Sequence, residues 1–177
     1  PKILELVISL GAVAHHPFLL VPTGRGAQLK DQEISPEEYE KSLSWFHEMR
    51  DKVPLQFKPT CAPHYYRIFR QKEREKGVTV TPETHGLDAM SKGCMGGQSF
   101  AFVSNTGKVQ ICGFLDVECG DIRKEPFHTI WDTSKVFQEM RHWDDYNGRC
   151  GYCEFRKVCG GCRARAFAFT GNYMDEE

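Results

Sequence analysis

Eight cysteines are the residues of this 177-residue chain with the clearest chemical potential. Four of them fall in the segment CGYCEFRKVCGGC, from Cys150 to Cys162, at intervals of two, five and two residues. A Cys-x-x-Cys pair lets two thiolates turn towards one metal centre, and Gly160 and Gly161 let the backbone fold close to it. The spacing therefore predicts a metal site in this segment.

Three kinds of centre compete for these thiols. Compact runs with short, unequal intervals are typical of iron–sulfur proteins, in which one cysteine can belong to a second cluster. A four-thiolate zinc site usually separates its two pairs by roughly twelve residues or more, and one zinc ion could not also use Cys94, Cys112 and Cys119. Disulfides are the least favoured interpretation of these cysteines, because no secretion signal is visible in the sequence. The pattern favours iron–sulfur over zinc.

Composition argues against several other partners. Lys and Arg number 23 against 24 Asp and Glu, so the net charge of -1 gives no field that would attract nucleic acid or an anionic membrane. The longest apolar runs, such as Phe18–Val21, are too short to cross a bilayer. We therefore expect a cytoplasmic protein with no membrane span and no nucleic-acid partner.

The elements that must position the cysteines differ along the chain. In the first part, Phe18–Val21 predicts a buried strand of the parallel type, and TGRGAQ after it predicts a turn. Ser35 and Pro36 begin a predicted amphipathic helix, and VPLQFKPTC predicts a second strand. Strand, helix and strand in this order indicate a parallel α/β sheet.

A connector at Gly77–Gly86, rich in Thr, Pro and Gly, marks a predicted domain boundary. After it, alternating residues on both sides of Asn105–Gly107 predict a β-hairpin. Two short helices are predicted at Pro126–Trp131 and Ser134–Trp143, and another ends near Gly171. The second part of the chain is thus predicted to be small and cysteine-rich.

The cysteine pattern resembles the SPASM extension of radical S-adenosylmethionine (SAM) enzymes, which holds auxiliary 4Fe-4S clusters. The stretches FLLVPTGRG, FKPTCAPHYYR, CGFLDVECGDI and CEFRKVCGGCRARAFAFTGNY resemble the subgroup that acts in haem and d-type haem biosynthesis. The resemblance implies an α/β fold. Residues 1–86 would be the last strands and helices of a partial (β/α) barrel plus the connector, and residues 87–177 the SPASM domain.

The same resemblance implies two sets of cluster ligands. One set is Cys94, Cys112, Cys119 and Cys162, and the other is Cys150, Cys153 and Cys159. In an alternative assignment the last four cysteines hold one centre and the upstream three are core thiols. Only two residues separate Cys159 from Cys162 where the general pattern has three, so the place of Cys162 is open. The general pattern also ends in a further cysteine, which these 177 residues lack.

Three residues are candidates for binding substrate or SAM because of the resemblance. Arg25 could bind a carboxylate in bidentate fashion, or could be an exposed turn arginine. Cys61 ends the second predicted strand and His64 follows it, where the resemblance implies that a barrel would deliver residues to its mouth, although single residues of these types are often structural. No catalytic residue is predicted. The Cys-x3-Cys-x2-Cys motif of the catalytic cluster is absent from these residues, so we expect the chain to be inactive alone.

The function that the resemblance implies is modification of tetrapyrrole side chains in haem biosynthesis, by decarboxylation or by removal of acetate or propionate. In the intact enzyme a deoxyadenosyl radical from SAM would abstract hydrogen from an iron tetrapyrrole, and an auxiliary cluster would accept or relay an electron. An electron-donor protein would be a second partner. The alternatives are a radical SAM peptide-modifying enzyme and a non-catalytic zinc-binding module.

Overall fold

The computed structural model describes residues 2–177, and Pro1, the first residue of the predicted segment 1–86, lies outside the described residues. Short helices and strands alternate along the chain, so the predicted mixed α/β class is confirmed. The helices are α1 Lys2–Ser9, α2 Pro36–Met49, α3 His64–Glu75, α4 Pro82–His85, α5 Leu87–Met90, α6 Phe127–Thr133, α7 Lys135–Arg141, α8 Gly148–Tyr152 and α9 Arg163–Thr170. The strands are β1 Ala14–His15, β2 Gln56–Phe57, β3 Phe102–Val103, β4 Lys108–Gln110 and β5 Gly120–Asp121, and 3₁₀ turns span Gly24–Gln32 and Trp143–Asp145.

The first part of the chain contains a parallel strand pair, as predicted. β1 pairs with β2, with Ala14 opposite Gln56, and α2 lies between them in sequence. The predicted buried strand Phe18–Val21 is wrong, because only Phe18 forms an isolated bridge, to Thr60, and its side chain is 54% exposed. Prolines flank this stretch on both sides and cannot donate ladder hydrogen bonds, which keeps the pairing short.

The helix predicted from Ser35 is confirmed. The Ser35 hydroxyl accepts from the Glu38 backbone N–H, the Glu38 carboxylate accepts from the Ser35 N–H, and Pro36 occupies the first turn. Leu43 and Phe46 on the apolar face of α2 are buried against α3. Helix α2 therefore covers the parallel pair from one side.

Helix α3 carries the charge run RQKEREK, a pattern that suits a solvated helix face. Glu73 within this run is nevertheless buried. Its carboxylate lies 2.7 Å from Lys76 Nζ and 3.2 Å and 3.5 Å from His85 Nε2 and His47 Nε2. Burial costs free energy unless the charge is paired, and these partners come from α2, from α4 and from Lys76, the residue that directly follows α3.

The second part of the chain contains the predicted hairpin. β3 and β4 are antiparallel, with Phe102 opposite Gln110, and the Ser104 N–H donates to the Lys108 carbonyl beyond the turn. A third strand, β5, pairs with β4 and was not predicted. The two predicted short helices are confirmed as α6 and α7, and α9 ends at Gly171 in the left-handed conformation (φ 80°).

Each part of the chain has its own hydrophobic core. One core lies between α2, α3 and the parallel pair, and the other is built on Ile111, Leu115, Phe137 and Met140. Val21, from the first part, packs into the second core. The two parts are therefore in direct contact. Among residues 2–177, none of the helices has the length and apolar character needed to span a membrane.

Gly93 marks a close approach between the two parts. A Cβ atom at this position would lie 2.5 Å from the Cys159 carbonyl oxygen and 2.6 Å from Pro63 Cα, both of which are backbone atoms. We expect Gly93→Ala to lower the free energy of unfolding by about 1–3 kcal/mol, since the backbone must shift to relieve the overlap. Urea unfolding followed by circular dichroism measures this change.

Gly113→Ala is the matched control for Gly93→Ala. A Cβ at Gly113 would meet only the Phe102 ring, at 3.4 Å, which is an ordinary van der Waals distance. We expect its effect to stay within about 0.5 kcal/mol. Equal effects of the two substitutions would contradict the close packing at Gly93.

Candidate metal centre

All eight cysteines are free thiols, and five of them pack against the second core: Cys61, Cys112, Cys119, Cys150 and Cys162. They sit on loops and at the ends of elements, where the backbone can turn towards a common centre. Cys159 is buried and the others are partly buried. Their positions are Cys61 after β2, Cys94 after α5, Cys112 after β4, Cys119 before β5, Cys150 in α8, Cys153 at its end, and Cys159 and Cys162 before α9.

The fold gathers most of the predicted ligands into two neighbourhoods. Cys94 is close enough to Cys112 and Cys162 for their charges to interact, although Cys162 is 68 residues away in sequence (162 − 94). Cys150 and Cys159 interact with each other in the same way. Within residues 2–177, no three His, Cys, Asp or Glu side chains are placed to hold a single metal ion. The thiols are grouped more widely than the ligands of one ion.

Two predicted ligands have weaker links to these neighbourhoods. Cys153 and Cys159 both lie close enough to Arg67 to contribute to its raised pKa, so the two thiols share a neighbour. Cys119 lies beside Ser134 and Tyr173, and its sulfur is 3.8 Å from the Val117 carbonyl oxygen. The contacts described for residues 2–177 do not join Cys119 to another cysteine, so the structure does not bring it to the predicted set.

Backbone N–H groups point at the sulfurs of six of the seven predicted ligands. The Phe155 nitrogen lies 3.4 Å from Cys153 Sγ. The Gly96 and Gly161 N–H groups are the donors to Cys94 and Cys159. Hydrogen bonds of this kind stabilise thiolates and tune iron–sulfur centres. The other donors are Phe114 and Leu115 for Cys112, Ile111 for Cys119 and Arg165 for Cys162.

Burial opposes ionisation of these thiols. It raises the pKa of Cys159 to about 12 and that of Cys119 to about 11, and it also raises the pKa of Cys94, Cys112 and Cys162. Thiols must lose their protons to bind metal, and a bound cation supplies the missing positive charge. Soft sulfur donors in a partly buried pocket with N–H groups aimed at them suit an iron–sulfur cluster.

Two arginines of α9 belong to the centre and were missed by sequence reasoning. The Arg163 guanidinium lies 3.5 Å from Cys150 Sγ and is 2% exposed. Arg165 donates to the carbonyl oxygens of Leu20 (2.7 Å) and Cys61 (3.1 Å) and pairs with the buried Glu177 carboxylate. Their position in CGGCRAR, directly after the last cysteine, was the available signal. Arginine is a good helix former, so the segment was interpreted only as a helix.

The three substrate or SAM candidates lie in different surroundings. Arg25 is exposed and lines a cleft of about 820 Å³ together with Gln110, Phe114 and Phe167. His64 lines another cleft, of about 720 Å³, where its ring meets Tyr39 edge-on and burial lowers its pKa. The structure therefore does not bring Arg25 and His64 into one cleft.

Cys61 differs from both of these candidates. It is the one non-glycine residue in 2–177 with a positive φ (54°), a conformation that strains an L side chain. Burial raises its pKa to about 11, and the nearby Cys112 and Cys94 add to this effect. No backbone N–H is described as pointing at its sulfur, in contrast to the six cysteines above. Cys61 is thus a neutral thiol beside the first neighbourhood.

Residues 94–163 match the SPASM family, which is described as an iron-sulfur cluster-binding domain. This match places most of the gathered thiols in a region of the iron–sulfur cluster-binding type, and it supports the predicted 4Fe-4S cofactor. The chain is 54% identical over 175 residues to the AdoMet-dependent heme synthase of Nitratidesulfovibrio vulgaris and 52% identical over 176 residues to that of Methanosarcina barkeri, where AdoMet is SAM. The resemblance to SPASM-containing radical SAM enzymes of haem biosynthesis is thus confirmed.

These alignments include 99% of this chain but 48% and 50% of the two relatives, so the chain spans about half the length of the curated relatives it matches. The chain is also similar to the PqqA peptide cyclase of Granulibacter bethesdensis. That similarity amounts to 34% identity over 112 residues, which is 57% of this chain and 29% of the cyclase. The similarity to the heme synthases is therefore both closer and longer.

Proposed function

We propose that this chain is the auxiliary-cluster part of a SAM-dependent enzyme that converts tetrapyrrole side chains during haem synthesis. The observation that carries the proposal is the extent of the similarity to heme synthases. Identity of 52–54% runs through 99% of the chain, and so includes the parallel strand pair and the Arg25 cleft as well as the cysteines. A shared SPASM domain alone would leave the first part of the chain dissimilar.

The proposed ligand sets follow the two neighbourhoods of thiols, and Cys119 and Cys153 are added to them because of the family resemblance. Cys94, Cys112 and Cys162 would hold one 4Fe-4S cluster with Cys119, and Cys150, Cys153 and Cys159 would hold the other. When bound, such a cluster accepts or passes on single electrons, so an electron-donor protein is a proposed partner. The chain's own contribution is to bury the thiolates, direct N–H groups at them and keep water away.

We propose that the parallel pair β1–β2, with α2 as its crossover, belongs to the last units of a partial (β/α) barrel, and that residues 87–177 form a separate SPASM domain. The register supports this, because β1 and β2 run in the same direction, as barrel strands must. The Cys-x3-Cys-x2-Cys motif is absent from these residues, so cleavage of SAM would depend on a part of the protein beyond them. A cytoplasmic location also remains a prediction.

The Arg25 cleft is the proposed place for a substrate carboxylate. Arg25 forms no described ion pair in residues 2–177, whereas most other arginines near the site are bonded to carboxylates or carbonyls. The cleft also offers the Phe114 and Phe167 rings, which suit the apolar face of a tetrapyrrole. It reaches Gly113, next to the proposed ligand Cys112. A bound iron tetrapyrrole would thus lie close to one cluster.

The test compares haem with haem dimethyl ester, which lacks the two free carboxylates. Both are titrated into the intact, cluster-loaded protein and followed by the haem absorption band. We expect Arg25→Ala to weaken haem binding about tenfold or more, since a charge-assisted hydrogen bond contributes roughly 1.5–3 kcal/mol, and to leave the ester unaffected. Lys30→Ala, which removes a cation from the other cleft, is the control.

Two results would contradict the proposal in different ways. Equal losses for haem and its ester would show that Arg25 does not contact a carboxylate. Absence of haem binding, together with tight binding of a peptide, would instead support a peptide-modifying enzyme like the peptide cyclases. The second result would overturn the tetrapyrrole substrate and leave the cluster assignment intact.

A further inference from the structure

Arg163 is a buried cation without a carboxylate partner. Its Nη1 donates to the carbonyl oxygens of Tyr173 (3.1 Å) and Asp175 (2.7 Å), and the guanidinium lies 4.5 Å from the centroid of the Tyr146 ring. Its Nε is buried without any hydrogen-bond partner, and no ion pair of Arg163 is described in residues 2–177. A buried charge of this kind costs free energy unless an anion lies nearby.

The Arg163 side chain places its positive charge next to Cys150. Arg163 Nη2 lies 3.5 Å from Cys150 Sγ, within hydrogen-bond distance for sulfur. Gly161 leaves the room for it, because a Cβ atom there would lie 2.1 Å from Nη2. Two carbonyls on one side and the Tyr146 ring on the other hold the guanidinium in this orientation. Cys150 thereby receives a cationic side-chain donor, where the other six predicted ligands receive a backbone N–H.

A cationic donor affects the cluster differently from a neutral one. Reduction adds negative charge to the cluster and its thiolates, and a fixed positive charge bonded to sulfur stabilises this state more than the oxidised state. Hydrogen bonds to the sulfurs and burial are among the factors that set the potentials of iron–sulfur clusters. The contact should therefore make the cluster easier to reduce.

We propose that Arg163 is a positioning residue that raises the reduction potential of the cluster held by Cys150, through a charge-assisted hydrogen bond to the Cys150 thiolate. This inference rests on the proposed function, because it requires Cys150 to be a cluster ligand. In return, the ligated thiolate supplies the anion that the buried guanidinium lacks in residues 2–177.

One variant and a matched control test the inference. Arg163→Gln removes the charge next to Cys150. Arg67→Gln is the control, because Arg67 lies near Cys153 and Cys159 but is bonded to Glu40 and Gln71 and to no sulfur. Each protein is prepared without oxygen, its iron and sulfide are measured, and the cluster is titrated with dithionite while its EPR signal is followed.

We expect Arg163→Gln to reduce the equilibrium constant for one-electron reduction about tenfold, which corresponds to 59 mV. Arg67→Gln should shift it much less. Iron present with an unchanged potential in Arg163→Gln would overturn the inference. No iron in the unmodified protein would instead overturn the proposed function.

A measurement on the unmodified protein covers the case in which Arg163→Gln does not fold. Protein labelled with ¹⁵N only in the guanidinium nitrogens of arginine is reduced, and electron spin echo envelope modulation is recorded on the cluster. A ¹⁵N coupling is expected from the guanidinium bonded to Cys150, and it should persist in the Arg67→Gln control. Absence of any ¹⁵N coupling in the reduced, iron-loaded protein would contradict the contact.

Discussion

Replacing Cys159 by alanine should remove about four iron and four sulfide ions from each chain, the content of one 4Fe-4S cluster. Cys159 is buried, whereas the other seven cysteines are partly buried, and the Gly161 N–H points at its sulfur. Without it, the proposed set keeps only Cys150 and Cys153, because Cys162 is assigned to the other set. Iron and acid-labile sulfide, measured on anaerobically purified protein, give the result directly.

Cys61→Ala is the matched control for the cysteine experiment. Cys61 is also a partly buried thiol beside the cluster region, but no backbone N–H is described as pointing at its sulfur. We expect its iron content to equal that of the unmodified protein. If Cys61→Ala lost as much iron as Cys159→Ala, the distinction between ligands and other thiols that we draw from the N–H groups would be wrong.

The second large effect is expected for Arg165→Met, which should lower the free energy of unfolding by about 3–5 kcal/mol. Burial alone would lower the pKa of Arg165, but the Glu177 carboxylate raises it overall, so the guanidinium stays charged. It also lies 3.0 Å from the Glu33 carboxylate and bonds to the Leu20 and Cys61 carbonyls. Methionine fills similar space and leaves these buried acceptors unpaired.

Arg74→Met is the control for Arg165→Met. Arg74 pairs with Glu154 at 3.3 Å, but both side chains are exposed, and such pairs contribute about 0–1 kcal/mol. Urea unfolding of the cluster-loaded proteins, measured without oxygen, compares the two. Similar, small effects of both substitutions would show that the Arg165 network does not hold the two parts of the chain together.

The iron–sulfur character of the cysteine-rich segment could be predicted from sequence, because Cys150, Cys153, Cys159 and Cys162 follow each other at short intervals. The helix Pro36–Met49 with its Ser35 cap and the hairpin turn at Asn105–Gly107 were predictable because caps and turns depend on neighbouring residues. The strand predicted at Phe18–Val21 was wrong, because apolar composition says nothing about whether a partner strand is within reach.

The roles of Arg163, Arg165 and Glu73 could not be predicted, because each depends on contacts between residues far apart in sequence. Arg165 donates a hydrogen bond to the carbonyl oxygen of Leu20, 145 residues away in sequence. The Glu73 carboxylate lies 3.5 Å from Nε2 of His47, which belongs to another helix. In the sequence these residues look like ordinary helix formers or a solvated charge run. The grouping of Cys94 with Cys162 likewise follows from the packing of the two parts and not from spacing.

The measurement that most directly tests the central claim, that this chain holds iron–sulfur clusters, is the metal and acid-labile sulfide content of the chain purified without oxygen, together with its visible spectrum. We predict iron and sulfide in equal amounts, about four of each for one complete cluster and about eight for two. Stoichiometric zinc without sulfide would contradict the account and would favour a zinc-binding module.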